Sequence, residues 1–298
     1  GTVTVSGIVD VYSGSTVTFG TSSTAFTVNG TTTVDGTINC SATASACSGA
    51  KTFGGLLLIN SGGSFNFSGA TGTMPTTVFQ NGIQIDSGAT TFNTGTGATT
   101  FNTNSQSISG TGTIALTIGG ATSIASGITL TNDYVGNTLT FTSTVTLAVG
   151  NTGLTLSPST NTITGTLTFT ANSSAGTQQV VTLDGDANLF PSAITMPATT
   201  STGTAKITAI NTPTGTLTVT GTTAITGSST SSGGLSSIDF SGGGASANLG
   251  VVTLTGGSTN AAKILMGSGT FASSGLVTLS GNAAAAGDAV LSSDTGMI

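Results

Sequence analysis

The chain has 298 residues and a formal charge of −6, carried by nine acids, all aspartate, and three lysines, with no Glu, Arg, His or Trp. Charged residues make up 4% of the chain, against about 25% in ordinary globular domains. This argues against nucleic-acid binding, which needs Lys and Arg on phosphates, and removes histidine chemistry altogether.

Thr, Ser and Gly form roughly half the chain, while Leu, Gln and charged helix formers are scarce, so long helices are not expected. The chain is 36% hydrophobic with mean hydropathy +0.35, too apolar for a disordered polymer. Its strongest apolar run, Leu56–Ile59, is far short of the roughly 20 residues that span a bilayer. The sequence opens at Gly1 directly into strand pattern, Thr2-Val3-Thr4-Val5, as expected of a processed or excised chain.

A phrase then recurs along the N-terminal half. Val9-Asp10-Val11-Tyr12-Ser13-Gly14 returns at Leu57-Leu58-Ile59-Asn60-Ser61-Gly62 and at Ile83-Gln84-Ile85-Asp86-Ser87-Gly88. A looser copy is expected at Thr33-Val34-Asp35-Gly36, and a weaker one at Ile124-Ala125-Ser126-Gly127. Cys40 and Cys47 close a short loop-like stretch. The expected reading is a disulfide stapling a surface loop in an oxidising compartment, worth roughly 2–3 kcal/mol by loop entropy, with two free thiols as the alternative.

In the C-terminal half the phrase becomes aliphatic-Thr-aliphatic-x-Gly, at Val181–Gly185, Leu217–Gly221, Val252–Gly256 and Val277–Gly281. The last two lie 25 residues apart; the wider earlier gaps have no account in the sequence. Both phrases alternate with period two, which puts Val, Leu, Ile and Phe on one side of a strand and Thr on the other. Two or three short strands per roughly 25 residues, separated by Ser-Gly corners, describe one coil of a parallel β-solenoid.

The expected fold is therefore all-β: a parallel β-solenoid (β-helix) of roughly 12 coils of about 25 residues. Residues 1–298 would form one continuous solenoid, with 1–156 and 178–298 as possible sub-regions, and the rod would be on the order of 55–60 Å long. The competing fold, tandem Ig-like β-sandwiches, requires units of about 100 residues, which the short repeat does not suit. Stacking also accounts for the missing charge, because like charges opposite one another destabilise a sheet and a repeat would multiply the conflict. One opposite-sign pair, Lys263 with Asp288, falls in register in a 25-residue alignment and is expected as an inter-coil ion pair. Phe19, Phe65, Phe67, Phe92 and Phe101 are expected in core stacks.

Neither end shows a capping pattern: Thr2 begins in strand register, and Ala283–Ala286 is too short for a terminal helix. Open solenoid ends expose unpaired backbone groups, and a heterologous contact between them would propagate head to tail.

The wording of VNGTTTVDGTI (28–38), KTFGGLLLINSGG (51–63), FNTNSQSISGTGTIALTI (101–118) and GVVTLTGGSTN (250–260) resembles the secreted beta-strand-repeat surface proteins of bacteria. The likeness is greatest to those of Bacteroidota and looser to autotransporter-type adhesin passengers. It covers most of the chain and is one of repeat style. It implies export, a secreted or cell-surface location and a scaffolding or adhesive role; it supplies no catalytic residues.

β-Helices also host polysaccharide-active enzymes, whose sites need clustered acids. Asp184 and Asp186 are the only close acidic pair and a weak metal candidate, since Ca²⁺ needs 6–8 oxygens; a polar turn is the simpler reading. Asp10, Asp35, Asp86, Asp133, Asp239, Asp288 and Asp294 are scattered, with Asp10, Asp35 and Asp86 the set that stacking could gather. Lys51, Lys206 and Lys263 sit in no nucleophile motif, and sequons occur at Asn29, Asn39, Asn66 and Asn172. The expected function is that of a self-assembling extracellular subunit of a bacterial surface filament or layer, not an enzyme, without cofactor or membrane span. Its expected partner is itself, with surface glycans as a further one. A stalk segment of a large adhesin is the alternative, and a polysaccharide-active β-helix enzyme the third.

Overall fold

The computed structural model describes residues 1–298 except 21–22, 42–46, 70–72, 136, 158–159, 172–175, 185–186, 200–202, 210–214, 229–233, 283–286 and 294–298. Asp186, Asp294, Asn172 and Ala283–Ala286 thus lie outside the described residues. The described chain is all-β, with parallel strands stacked as a β-solenoid. It divides into two compact units, Gly1–Ser143 and Thr144–Ile298, a boundary ahead of the end of the expected sub-region 1–156.

In unit 1 each turn carries three short strands, giving three faces. The first face stacks Thr2–Val5, Ala25–Val28, Lys51–Phe53, Thr77–Phe79, Thr99–Phe101 and Thr122–Ile124. The second stacks Val9–Val11, Thr32–Val34, Leu57–Ile59, Ile83–Ile85, Gln106–Ser109 and Thr129–Asp133. The third runs from Thr16–Phe19 to Leu139–Phe141. The recurring phrase is in register as read: Val11 pairs with Val34, Val34 with Ile59 and Ile59 with Ile85.

The corner after the second face shows why Ser-Gly recurs. Ser15 N–H donates to Tyr12 O and Gly63 N–H to Asn60 O, each at 2.9 Å. The third residue of each turn, Gly14 or Gly62, has φ of +77° or +81°, which glycine adopts without a Cβ clash. The looser copy at Asp35-Gly36 makes a tighter corner; a Cβ on Gly36 would lie 2.3 Å from Ser15 O. Ile124, by contrast, pairs with Phe101 on the first face. The weaker copy of the phrase therefore stands at a different corner from the other four.

Phenylalanines fill the middle of unit 1. Phe53, Phe79 and Phe101 stack in register with ring centroids 5.7 and 5.5 Å apart, and Phe65 stacks on Phe92 at 5.6 Å. All five are at most 1% exposed. Not every Thr points outward: Thr77, Thr99 and Thr122 form a buried rank in register with Lys51. Thr99 is accommodated by bonds with the Thr94 hydroxyl and Gly119 O, both at 3.2 Å.

Unit 2 repeats the plan with longer turns. Its first face contains Val145–Leu147, Thr166–Phe169, Ala193–Met196, the second halves of the long strands Thr216–Thr226 and Ser246–Thr255, and Val277–Ser280. Its second face runs from Thr152–Ser157 to Ala289–Ser293. In the two long strands the third face continues straight into the first face of the next turn, with a register shift between Val219 and Thr222. A Cβ on Gly221 at that corner would lie 1.5 Å from Ser192 O, so only glycine lets the strand round the bend.

These faces explain the uneven C-terminal spacing. Val181–Leu183 lies on the second face, Leu217–Val219 on the third, and Val252–Leu254 and Val277–Leu279 on the first. The wide gaps step one turn and one face; the 25-residue gap is a single turn on one face.

Candidate functional site

The ionisable groups are few and are placed by the alternation of the strands. Lys51 shares an inward side with Phe53 and is 1% exposed. Its Nζ donates to Thr24 O at 3.1 Å and to Gly49 O, and lies 5.0 Å from the Phe19 ring centroid. Carbonyl dipoles and an aromatic face replace a carboxylate here. Burial holds the Lys51 amine below the usual lysine range.

This placement predicts a pH dependence. The folded chain releases the Lys51 proton at lower pH than the unfolded chain, so the unfolded state binds more protons and stability rises with pH. The gain belongs to the interval between the lowered folded value and about pH 10, the ordinary lysine range. Tyr134, whose phenol is pushed up by burial despite its bond to Ile114 O, acts in the opposite sense above about pH 10. Denaturant titrations from about pH 7 to about pH 10 are expected to show the rise in the parent chain and to lose it in Lys51→Met; a flat parent profile would contradict it.

Cys40 and Cys47 are joined in a disulfide, with Cα atoms 5.9 Å apart, within the span a disulfide bridges. Cys40 ends a third-face strand beside Phe19 in register, so the bond ties the following loop to the core.

The second face of unit 2 carries the other two lysines. Lys206 Nζ lies 2.8 Å from Asp239 Oδ2, the one ion pair among the described residues. Burial pushes the Asp239 carboxyl up, but hydrogen bonds from Lys206 and Ser241 outweigh it and the net direction is down. The expected Lys263–Asp288 pair does not form in that register. Lys263 stands against Val290, and Asp288 instead accepts the Ala262 N–H through its backbone carbonyl at 3.0 Å. The step from Ala262 to Ala289 is 27 residues, two longer than the first-face step on which the alignment was built.

Asp35 and Asp86 do enter one corner column, with Asn60 between them: Asp35 N–H bonds Val11 O, Asn60 N–H bonds Val34 O and Asp86 N–H bonds Ile59 O. Asn60 donates to Asp35 Oδ1 at 2.8 Å and Gln84 to Asp86 Oδ1 at 2.9 Å. Asp10 points from the face itself, beside Thr33. Asp184 N–H continues the second-face ladder onto Leu156 O at 2.9 Å. Among the described residues no three potential metal ligands cluster. A hollow of about 270 Å³ beside Val219, Asn248, Leu249 and Ser273 contains no ionisable side chain. No helix among the described residues is long and apolar enough to cross a membrane.

The terminal turns present a different kind of surface. Among the described residues, Thr2–Val5, Val9–Val11 and Thr16–Phe19 pair on one side only, as do Val277–Ser280 and Ala289–Ser293. Core-facing positions there are open: Leu254 is fully buried, while its register partner Leu279 is 48% exposed. Val3 is 49% exposed at the other edge. No family model, curated protein or solved structure matches the chain.

Proposed function

We propose that the protein is an extracellular structural subunit whose copies meet end to end, the last turn of one pairing with the first turn of the next, to build a bacterial surface filament or layer. The observation that carries this reading is the contrast between Leu254 and Leu279: the same core position is closed inside unit 2 and open on its last turn. Val277-Thr278-Leu279 and Val3-Thr4-Val5 share one alternation, so a second copy could bury Val3 and Val5 against Val277 and Leu279 with Thr4 beside Thr278. A covered edge satisfies its backbone groups and removes apolar area from water. The disulfide suits an oxidising compartment. With three lysines and no arginine, the chain offers trypsin-like proteases few sites. In this reading the work is mechanical and needs no catalytic residue.

Sedimentation velocity and negative-stain microscopy over a concentration series test it. The parent chain is expected to form growing filaments, and Val3→Lys or Leu279→Lys to stop growth while leaving the circular dichroism spectrum unchanged. Monomers at every concentration would contradict it and favour a stalk segment, in which neighbouring turns come from the same polypeptide. Polysaccharide turnover abolished by Asp184→Ala would overturn the structural role.

A further inference from the structure

The outward side of the first face of unit 2 is a hydroxyl-rich surface without charge. Beneath it lie Val145, Leu167, Ile194, Thr223 and Val252, all fully buried. Above them, the central outward rank reads Thr146, Thr168, Thr195, Ala224, Thr253 and Thr278, each in register with the next. One flanking rank reads Thr166, Ala193, Thr222 and Val251, and the other includes Thr226, Thr255 and Ser280. None of these positions is charged.

Among the described residues, the hydroxyls of the central rank, Thr146, Thr168, Thr195, Thr253 and Thr278, make no side-chain hydrogen bond. Each rank has one interruption, Ala224 in unit 2 and Val78 in unit 1; the difference is that in unit 1 Thr100 and Ser123 spend their hydroxyls on each other at 3.1 Å, which leaves Thr4, Thr27 and Thr52 as its threonines. The free hydroxyls of unit 2 therefore fall on a net, with Ala224 as a gap in its central rank, whose pitch is ~4.8 Å across the turns and ~6.7 Å along each strand. The prism face of hexagonal ice repeats its oxygens on a rectangular net of similar pitch.

We infer that this face binds ice. Each Thr offers a hydroxyl to the lattice and a methyl group that displaces loosely held water. β-Branching restricts χ1, and pairing on a rigid sheet fixes the spacing, so little conformational freedom is lost on docking. The absence of charge matters equally, because an ammonium or carboxylate orders water around itself in a pattern that competes with the lattice. The recognised species is the ordered water surface itself, read by repeat, and the inference is independent of end-to-end assembly.

The experiment partitions the whole protein between a slowly grown ice hemisphere and the remaining liquid, with thermal hysteresis measured alongside. The parent chain is expected to enter the ice and to show hysteresis. Thr195→Tyr and Thr253→Tyr, which raise bulk in the middle rank, are expected to be excluded and to show none. Thr27→Tyr, on unit 1, and Val3→Lys, which blocks assembly, are expected to partition like the parent, so failure of assembly is read separately. Circular dichroism melts confirm that each variant is folded. Exclusion of the parent chain from ice, or partitioning unchanged in Thr195→Tyr and Thr253→Tyr, would overturn the inference. Retention on crystalline cellulose or chitin with no entry into ice would overturn it in favour of a polysaccharide lattice.

Discussion

Phe79→Ala is expected to destabilise unit 1 by about 3–5 kcal/mol, the range for removing a fully buried aromatic ring. Phe79 is fully buried and lies 5.7 Å from Phe53 and 5.5 Å from Phe101, with Phe65 and Phe92 at 6.5 and 6.4 Å. The cavity would open between turns that are held by their own backbone ladders, so collapse to refill it is restricted. In a solenoid each turn contacts only its neighbours, and the loss is concentrated in the turns of Phe53, Phe79 and Phe101. Guanidinium titrations read the effect. Val78→Ala, one residue away on the outward side, is expected to change stability by no more than about 0.5 kcal/mol. Equal losses for the two variants would mean that the alternation of this strand is wrong.

Gly119→Ala is expected to be the more damaging change, exceeding about 4–5 kcal/mol or preventing the corner from forming. A Cβ there would stand 1.3 Å from Gly95 O, a backbone atom of the adjacent turn. Gly119 also receives the Thr99 hydroxyl on its carbonyl, and its N–H bonds the Thr94 hydroxyl at 2.8 Å. Displacing the corner would strip Gly119 from the buried Thr94 and Thr99 hydroxyls and leave them only their bond to each other, which adds part of the desolvation cost of under-satisfied polar groups. Gly7→Ala is the control: nothing lies within 4 Å of its Cβ position, and the lost freedom of the unfolded chain gives about 0.4–1 kcal/mol of stabilisation. The pair separates close backbone approach from glycine content as such; a Gly119→Ala chain as stable as the parent would refute the packing of that corner.

Much of the architecture was legible because strand alternation and corner chemistry are local. The registers of Val11, Ile59 and Ile85 follow from three copies of an aliphatic-x-aliphatic phrase that end at a Ser-Gly corner, and Val34 follows from the looser copy between them. Absolute face assignment was not legible, because every corner accepts Gly and every strand accepts Thr. The phrase at Ile124 consequently moved to another face, and the Val181, Leu217 and Val252 phrases could not be sorted until the turns were seen. Lys263 and Asp288 failed for a related reason: the first-face spacing of 25 does not carry over to the second face, where the step between these two turns is 27. The buried position of Lys51 had a visible signal, since Lys51-Thr52-Phe53 puts the lysine on the phenylalanine's side, but its ligands Thr24 O and Gly49 O come from the two neighbouring corners and leave no trace in composition. The hydroxyl net of unit 2 depends on register across six turns, so Thr content alone does not separate it from the unit 1 rank, where Thr100 and Ser123 bond each other.

The central claim is that successive turns lie directly over one another on each face. Double electron–electron resonance on spin labels placed outward on the first face of unit 1 tests it most directly. Thr4, Thr27, Thr52, Val78, Thr100 and Ser123 are successive register partners. A label at residue 4 paired with labels at residues 100 and 123 should report separations near ~19 and ~24 Å, rising by ~4.8 Å per turn. Distances that fail to grow from the first pair to the second would contradict a stacked solenoid.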